Sequence, residues 1–242
     1  LRIFANGEHF SPLDWYRRQG FAGTPTPRTV DGYSAAEDGR TVYINVANKI
    51  GDPVYTNMMV FSYNEGASGD VKDVRDQILQ NFKFSTNVGS ARVCVDGQSA
   101  PLVSSGNVIA CEKDIDCRSV SGYCDAAGDK LRRDTARLGD VRSIELSLEA
   151  YGRSHSHCSR TLDRACFVDA NCPIGETCVQ EYPHVTAGTF IPSLSTSRWP
   201  SWQEVLGSEL GVQIPRDPLN TYAICPDGAD PATCWNSTNQ TY

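Results

Sequence analysis

Residues 110–124 read ACEKDIDCRSVSGYC, and residues 165–178 read ACFVDANCPIGETC. Aligned on Cys111 and Cys166, both stretches give Cys-x-x-Asp-x-(Asp/Asn)-Cys, followed by a third cysteine six or seven residues later. An even number of cysteines in compact clusters is typical of a disulfide framework, which persists in oxidising compartments. Four cysteines allow three pairings, so the pairing within each cluster stays open. The ten cysteines of the predicted framework are Cys94, Cys111, Cys117, Cys124, Cys158, Cys166, Cys172, Cys178, Cys225 and Cys234.

The bulk composition is that of an ordinary globular protein, with 242 residues, 40% of them hydrophobic, and a formal net charge of −7. Binding to nucleic acid requires a basic face, so the acidic balance argues against a nucleic-acid partner. No stretch approaches the roughly 18–20 apolar residues that span a bilayer. The chain begins at Leu1 without an initiator methionine or a signal peptide. Because its cysteines require export, we expect a processed piece of a larger secreted or surface protein.

The N-terminal part of the chain predicts a connector followed by a small folded unit. Residues 1–39 are rich in Gly, Pro and Thr, and the run Thr24-Pro25-Thr26-Pro27 indicates an extended connector from a preceding region. Residues 40–93 predict a β-β-α unit, with strands over 40–47 and 54–63. The helix of this unit begins near Asp70 and carries its apolar side chains at Val71, Val74, Ile78, Leu79 and Phe82.

A first cysteine-rich cluster over residues 94–128 has little periodicity and predicts a loop held by disulfides. Residues 129–152 then predict the longest helix, with Asp129 as its N-cap. The first half of this helix is densely charged, so we expect it to be solvated and the second half to pack against other elements. The apolar stripe of the second half consists of Leu138, Val141, Ile144, Leu148 and Tyr151.

The second half of the chain resembles the globular head of type IV pilins and type II secretion pseudopilins. The resemblance begins at Arg133-Asp134-Thr135-Ala136-Arg137-Leu138-Gly139-Asp140 and continues through the apolar stripe to Tyr151. It implies an α+β fold in which the long helix packs on a small antiparallel sheet drawn from residues 180–235. The pilin-like domain would cover 129–242, with the second cysteine-rich cluster, 158–178, as an insertion. Further residues that carry the resemblance are Tyr182, Pro183, Trp202, Pro215, Asp217, Pro218, Asn220 and Tyr222.

The chain departs from the pilin pattern in two places. Hydrophilic, cysteine-rich sequence stands where a pilin has the apolar stretch that anchors its helix, and pilins have no counterpart of the N-terminal half. The order of elements is also similar to a segment of very large surface proteins of candidate-phyla-radiation bacteria. The residues that carry this second likeness are 40–48, 82–87 and 233–236. It implies a cell-surface location and no particular activity.

Two kinds of metal site are candidates in the sequence. Oxygen donors two residues apart suit calcium, although in turns such side chains also accept hydrogen bonds from the backbone. The residues His155, His157 and Cys158 are of the types that ligate zinc, but a disulfide at Cys158 would remove the thiolate. The candidate calcium ligands are Asp114, Asp116, Asp169 and Asn171 in the clusters, and Asp217, Asn220 and Asp227 by resemblance to pseudopilin heads that hold calcium near the C-terminal loop.

No catalytic constellation is present in the sequence, so we expect no enzyme and no cofactor apart from the candidate calcium. An even cysteine count leaves no thiol for a nucleophile, and the glycines form no phosphate-binding loop. Asn236 and Asn239 begin triplets that match the N-glycosylation sequon, a pattern that is frequent by chance.

The sequence therefore predicts an extracellular structural protein that assembles with copies of itself or with other cell-surface proteins. It would be a disulfide-stapled, pilin-like portion of a surface layer or appendage. The alternative is an adhesion or inhibitor-like binding module that uses the cysteine-rich loops. Their cysteine spacing partly resembles whey-acidic-protein inhibitors, but the adjacent double cysteine of that family is absent.

Overall fold

The computed structural model describes residues 1–47, 54–84, 92–96, 101–183, 197 and 202–217. The chain divides into two compact units, and the boundary between Arg142 and Ser143 lies inside one long helix. The described residues contain both helices and strands, so the predicted mixture of α and β structure is confirmed. The strands are β1 (Arg2–Ala5), β2 (Thr26–Val30), β3 (Tyr33–Asp38), β4 (Thr41–Ala47), β5 (Thr56–Ser62), β6 (Val93–Val95), β7 (Val103–Ser104), β8 (Asn107–Val108), β9 (Tyr123–Asp125), β10 (Ser156–Cys158) and β11 (Cys178–Gln180). The α-helices are α1 (Pro12–Arg18), α2 (Gly69–Asn81), α3 (Ala127–Ser154) and α4 (Ser208–Leu210). Short 3-10 helices cover Asp114–Val120 and Asp169–Asn171, and a π-helical turn covers Trp202–Gly207.

A five-stranded antiparallel sheet in the order β1-β5-β4-β3-β2 forms the centre of the first unit. The predicted strands over 40–47 and 54–63 are confirmed as β4 and β5, which pair along their whole length. The predicted helix near Asp70 is confirmed as α2, although its N-cap is Ser68.

The prediction that residues 1–39 form an extended connector is wrong, because they contribute β1, α1, β2 and β3 to this unit. Ser11 caps α1 by accepting the N–H of Asp14, and Pro12 follows at the first helical position, where its missing N–H is harmless. The second half of the Thr-Pro run, Thr26-Pro27, begins the outermost strand β2, where a proline is tolerated. The run therefore reflects an edge strand rather than a linker.

The two faces of the sheet are covered by different helices. On one face, Ile44 and its neighbours in β4 pack with Leu79 of α2 and Leu131 of α3. On the other face, Tyr43 contacts the rings of Trp15 and Tyr16 from α1 at centroid distances of 5.7 and 5.4 Å. The alternation of β4 between two apolar faces explains why nearly all of its side chains are buried.

Helix α2 turns most of its predicted apolar stripe outward. Leu79 and Arg75 are buried, whereas Val71, Val74 and Ile78 are exposed. The period of the stripe predicted the helix correctly, but it did not predict which side of the helix meets the sheet.

Helix α3 begins at Ala127, close to the predicted N-cap, and is buried mainly in its first half. Leu131 and Thr135 are buried, and Gly139 lies against Ser11. No residue from 140 to 151 is buried. The prediction that the first half is solvated is therefore wrong, whereas the apolar stripe of the second half is half-buried at Leu138, Ile144, Leu148 and Tyr151 and exposed at Val141. The charged side chains of the first half pair with acidic partners, so their charge does not prevent packing.

The antiparallel sheet that the pilin resemblance implies for residues 180–235 falls largely outside the described ranges. Among the described residues of the second unit, β10 and β11 form a two-stranded antiparallel ribbon.

Candidate functional site

The eight described cysteines form four disulfides in two modules of the same construction. We call residues 92–125 the first module and residues 156–180 the second module. In each one the first cysteine bonds the third and the second bonds the fourth, so the two loops of a module are interlaced. Among the described residues no cysteine is free. The bonds are Cys94–Cys117, Cys111–Cys124, Cys158–Cys172 and Cys166–Cys178.

Each module is built on a short antiparallel ribbon. In the first module Cys94 of β6 lies opposite Cys124 of β9, and in the second Cys158 of β10 lies opposite Cys178 of β11. The two opposed cysteines bond to cysteines of the intervening loop rather than to each other. The ribbon therefore anchors both ends of the loop in each module.

The first aspartate of the repeated motif ties the loop to the last strand of the ribbon. Asp114 Oδ1 accepts the N–H of Cys124 at 2.9 Å, and Asp169 Oδ1 accepts the N–H of Cys178 at 2.8 Å. This contact is the same in both modules, which explains why an aspartate stands at both positions of the sequence.

The second polar residue of the motif closes the turn before the 3-10 helix. Asp116 Oδ2 accepts the N–H groups of Glu112 and Lys113 at 2.9 and 3.0 Å. Asn171 Oδ1 accepts the two corresponding N–H groups of the second module at 3.0 and 3.2 Å. Those hydrogen bonds hold the pKa of Asp116 below its ordinary value, because they favour the charged carboxylate. These side chains therefore hold turns by accepting backbone hydrogen bonds, which accounts for their place in the motif without a calcium ion.

The second module has an additional tie that the sequence motif did not indicate. Glu176 accepts the N–H groups of Arg160 and Thr161 at 3.0 and 2.9 Å, and the hydroxyl of Thr161 at 2.9 Å. Burial raises the pKa of Glu176, but the hydrogen bonds from Thr161 and Arg160 outweigh burial and leave the pKa below its ordinary value. No repeated pattern marks this glutamate, since the two modules differ here.

The first module encloses apolar side chains, with Cys94 and Cys117 fully buried. The hairpin of β7 and β8 closes over this core, where Cys94 exchanges backbone hydrogen bonds with Leu102 and Ile109 at 2.8 Å each. In the second module the only buried apolar side chains among the described residues are those of Cys158 and Cys166.

The loops of the second module expose large apolar side chains. Phe167 is 82% exposed and Val168 56% exposed, at the positions where the first module has Glu112 and Lys113. Only the backbone N–H groups of these residues enter the turn, so the fold does not require apolar side chains there. The turn itself therefore does not account for these two exposed apolar side chains.

Ile174 is a further exposed apolar side chain of the second module and lies at the tip of a tight turn. Its side chain is fully exposed, between Pro173 and Gly175. Glu176 donates its N–H to the carbonyl of Pro173 at 3.0 Å, and Gly175 has φ of +84°. A glycine at the third position permits this turn. The turn directly follows Cys172, so a disulfide fixes its base. We call Leu162, Phe167, Val168 and Ile174 the apolar loop surface.

The structure uses the candidate zinc ligands in other ways. Cys158 is bonded to Cys172, so its thiolate is consumed. The ring of His155 stacks on Tyr151 at a centroid distance of 3.8 Å, and His157 Nδ1 lies 3.9 Å from Glu181 Oε1. The sulfur atoms of three cysteines gather within 4.8 Å in each module, but all of them belong to disulfides. The zinc hypothesis is therefore not supported.

The remaining candidate residues lie at the C-terminal end of the chain. Asp217 is described, and its N–H donates to Ser197 Oγ at 3.0 Å. The other two residues of the candidate calcium set, Asn220 and Asp227, lie outside the described ranges. The same is true of the cysteines Cys225 and Cys234 and of the sequon residues Asn236 and Asn239.

The four disulfides fit an extracellular or otherwise oxidising environment. Of the helices in the described ranges, none is both long enough and apolar enough to cross a bilayer. No protein-family model, no curated protein and no solved structure matches the chain.

Proposed function

We propose that this chain is an extracellular structural protein that assembles with copies of itself, or with other cell-surface proteins, through the second module. The assembly would be a surface layer or an appendage, in keeping with the pilin-like pattern of residues 133–151. The observation that carries the proposal is the apolar loop surface on a covalently fixed scaffold. Disulfides hold the loops in one conformation, so little entropy is lost when they are buried against a partner.

The comparison between the modules supports this proposal further. The first module has a charged pair, Glu112 and Lys113, at the surface of the shared turn, and the second has Phe167 and Val168. A surface that only had to remain dissolved would favour the charged pair. The apolar pair costs solubility, and burial in an interface offsets that cost.

The test is the association state of native, unreduced protein, measured by sedimentation velocity over a range of concentrations and by electron microscopy. We expect concentration-dependent assembly into ordered lattices or filaments. The double variant Phe167→Glu, Val168→Lys copies the charged pair of the first module and should form no lattice or filament while keeping all disulfides formed. The matched control Ile115→Ser removes an exposed apolar side chain of the first module and should assemble as the wild type does.

The exposed tip at Ile174 favours a second candidate, an adhesion or inhibitor-like module that inserts this turn into a groove of another protein. In that case the wild type stays monomeric at all concentrations, which contradicts self-assembly. The monomer would then bind isolated cell envelopes, and Ile174→Ser would abolish that binding.

A further inference from the structure

The two outer strands of the five-stranded sheet differ in how their free edges are protected. Strand β2 contains Pro27, which has no N–H, and Arg28, which pairs with Glu37 of the neighbouring strand at 2.6 Å. Proline and charged side chains are the usual means by which proteins prevent pairing at an edge. Strand β1 contains no proline, its only charged residue is Arg2, and all four of its residues are exposed.

The hydrogen bonds of β1 show which residues face its free edge. Asn6 donates its N–H to the carbonyl of Thr56 at 3.0 Å, one residue beyond the pairing of Ala5 with Asn57. In an antiparallel ladder, alternate residues direct both main-chain groups to the same neighbour. Since Asn6 bonds towards β5, Arg2 and Phe4 do so as well. Ile3 and Ala5 therefore direct their N–H and C=O groups outward.

The side chains next to these outward groups are largely apolar. Ile3 is 60% exposed, and Leu1 and Phe4 are also exposed. An edge strand with open main-chain groups and exposed apolar side chains is a template for another strand.

We propose that β1 is a strand-addition site for a second copy of this chain, whose β1 pairs antiparallel to it with Ile3 opposite Ile3. This inference rests on the proposed self-assembly and names one of its contacts. The pairing joins two five-stranded sheets into one continuous sheet around a two-fold axis.

The side-chain charge and the hydrogen-bonding pattern of β1 both favour pairing with β1 of a second copy in this register. With Ile3 opposite Ile3, the outward groups of each strand meet those of its partner. Arg2 then lies opposite Phe4 of the second copy, a favourable pairing of a cation with a ring. A shift of the second strand by two residues preserves the hydrogen-bonding pattern, but in one direction it places Arg2 opposite Arg2, which is unfavourable, and in the other it places Arg2 opposite Asn6, beyond the end of β1. Of these three registers, Ile3 opposite Ile3 is therefore the one that pairs Arg2 of each copy with a ring of the other.

The two-fold contact at β1 closes on itself once two copies have paired. A layer or filament needs a second, different contact to extend beyond the pair. The apolar loop surface of the second module is the candidate for that contact, so the two sites make separable contributions to assembly.

The test is a disulfide cross-link in the full, oxidised chain. Residues opposite each other in a hydrogen-bonded antiparallel pair have Cα atoms about 5.5 Å apart, within the range of a disulfide. Ile3→Cys should therefore form a covalent dimer on a non-reducing gel. The matched control Arg2→Cys should not, because its opposite residue in the second copy is Phe4.

A second variant measures the association itself. Ile3→Lys places two lysines opposite each other and should weaken the pairing by about tenfold or more in sedimentation experiments. Wild-type assembly that persists unchanged in Ile3→Lys, with no cross-link in Ile3→Cys, would overturn the strand pairing and leave the proposed function standing. If the wild type stays monomeric and the Ile3→Cys variant forms no cross-link, both the strand pairing and the proposed function are overturned.

Discussion

The two disulfide modules share their ribbon, their bond pairing and their turn, yet they differ in what surrounds this frame. The first module folds a hairpin over a small apolar core, with Cys94 and Cys117 at its centre. The second has no such hairpin among the described residues and closes its loop with Glu176 instead. The cysteines and the Asp-x-(Asp/Asn) turn are thus what the two modules have in common. The composition of the loop surface differs between them, so it is not fixed by this frame.

The two modules also differ in what stabilises them. In the first module the disulfides are supported by apolar packing of Leu102, Ile109 and Val120. The second module buries two cysteines and no other apolar side chain among the described residues. We infer that the second module depends almost entirely on its disulfides, as small domains with little core generally do.

The largest expected effect follows from removing one disulfide in each module. Cys158→Ala with Cys172→Ala should unfold the second module, because about 3 kcal/mol of loop constraint is lost and no apolar core remains to replace it. Cys94→Ala with Cys117→Ala should weaken the first module but leave it folded. Hydrogen exchange and limited proteolysis of each module would measure the difference.

Loop length alone predicts a different result. The sequence separations are 23 residues for Cys94–Cys117 and 14 for Cys158–Cys172, so the entropic model makes the first bond the more stabilising one by about 0.4 kcal/mol. Equal loss of protection in both modules would show that the apolar core of the first contributes little.

A smaller effect is expected from the aspartate that ties each loop to its ribbon. Asp114→Ala should cost about 1–2 kcal/mol of unfolding free energy, because the N–H of Cys124 that it binds is partly buried. Asp169→Ala should cost less, since the N–H of Cys178 is exposed to water as an alternative partner. Chemical denaturation of the two variants would give both values. Asp114→Asn keeps an acceptor oxygen, so its free energy of unfolding should be close to that of the wild type. A large loss of stability in Asp114→Asn would show that the charge of Asp114, rather than its hydrogen bond, is responsible.

The sequence alone was sufficient for features that depend on local patterns. The repeated motif predicted two disulfide modules and turns held by Asp and Asn side chains. Alternation of side chains predicted β4 and β5, and helical spacing predicted α2 and α3. In each case the relevant contacts lie within a few residues of each other or follow a simple period.

Features that depend on long-range packing could not be predicted in this way. The disulfide pairing was one of three possibilities for each module, and only the opposed strands of the ribbon decide between them. Residues 1–39 form strands because β5 is available as a neighbour for β1 and β4 for β3, which no local signal reveals. The first half of α3 is buried despite its charge because Asp125 and Asp129 pair with its arginines. Glu176 was missed because its partners, Arg160 and Thr161, stand about fifteen residues away.

The smallest expected effect is a difference between the two modules in how their hydrogen-exchange protection depends on pH. Hydrogen bonds from Glu112 and Lys113 lower the pKa of Asp116 in the folded state, below the value of about 3.9 of an aspartate in an unfolded chain. The contribution of Asp116 to the stability of the folded state is therefore present above about pH 4, and it is lost as the pH falls through the folded pKa. Asn171 occupies the same position in the second module and takes up no proton. Protection factors from hydrogen exchange should fall on acidification for the N–H of Lys113 but not for that of Val168, and Asp116→Asn should remove the difference. A parallel fall at both amides would instead place the acid sensitivity in a part of the fold that the two modules share.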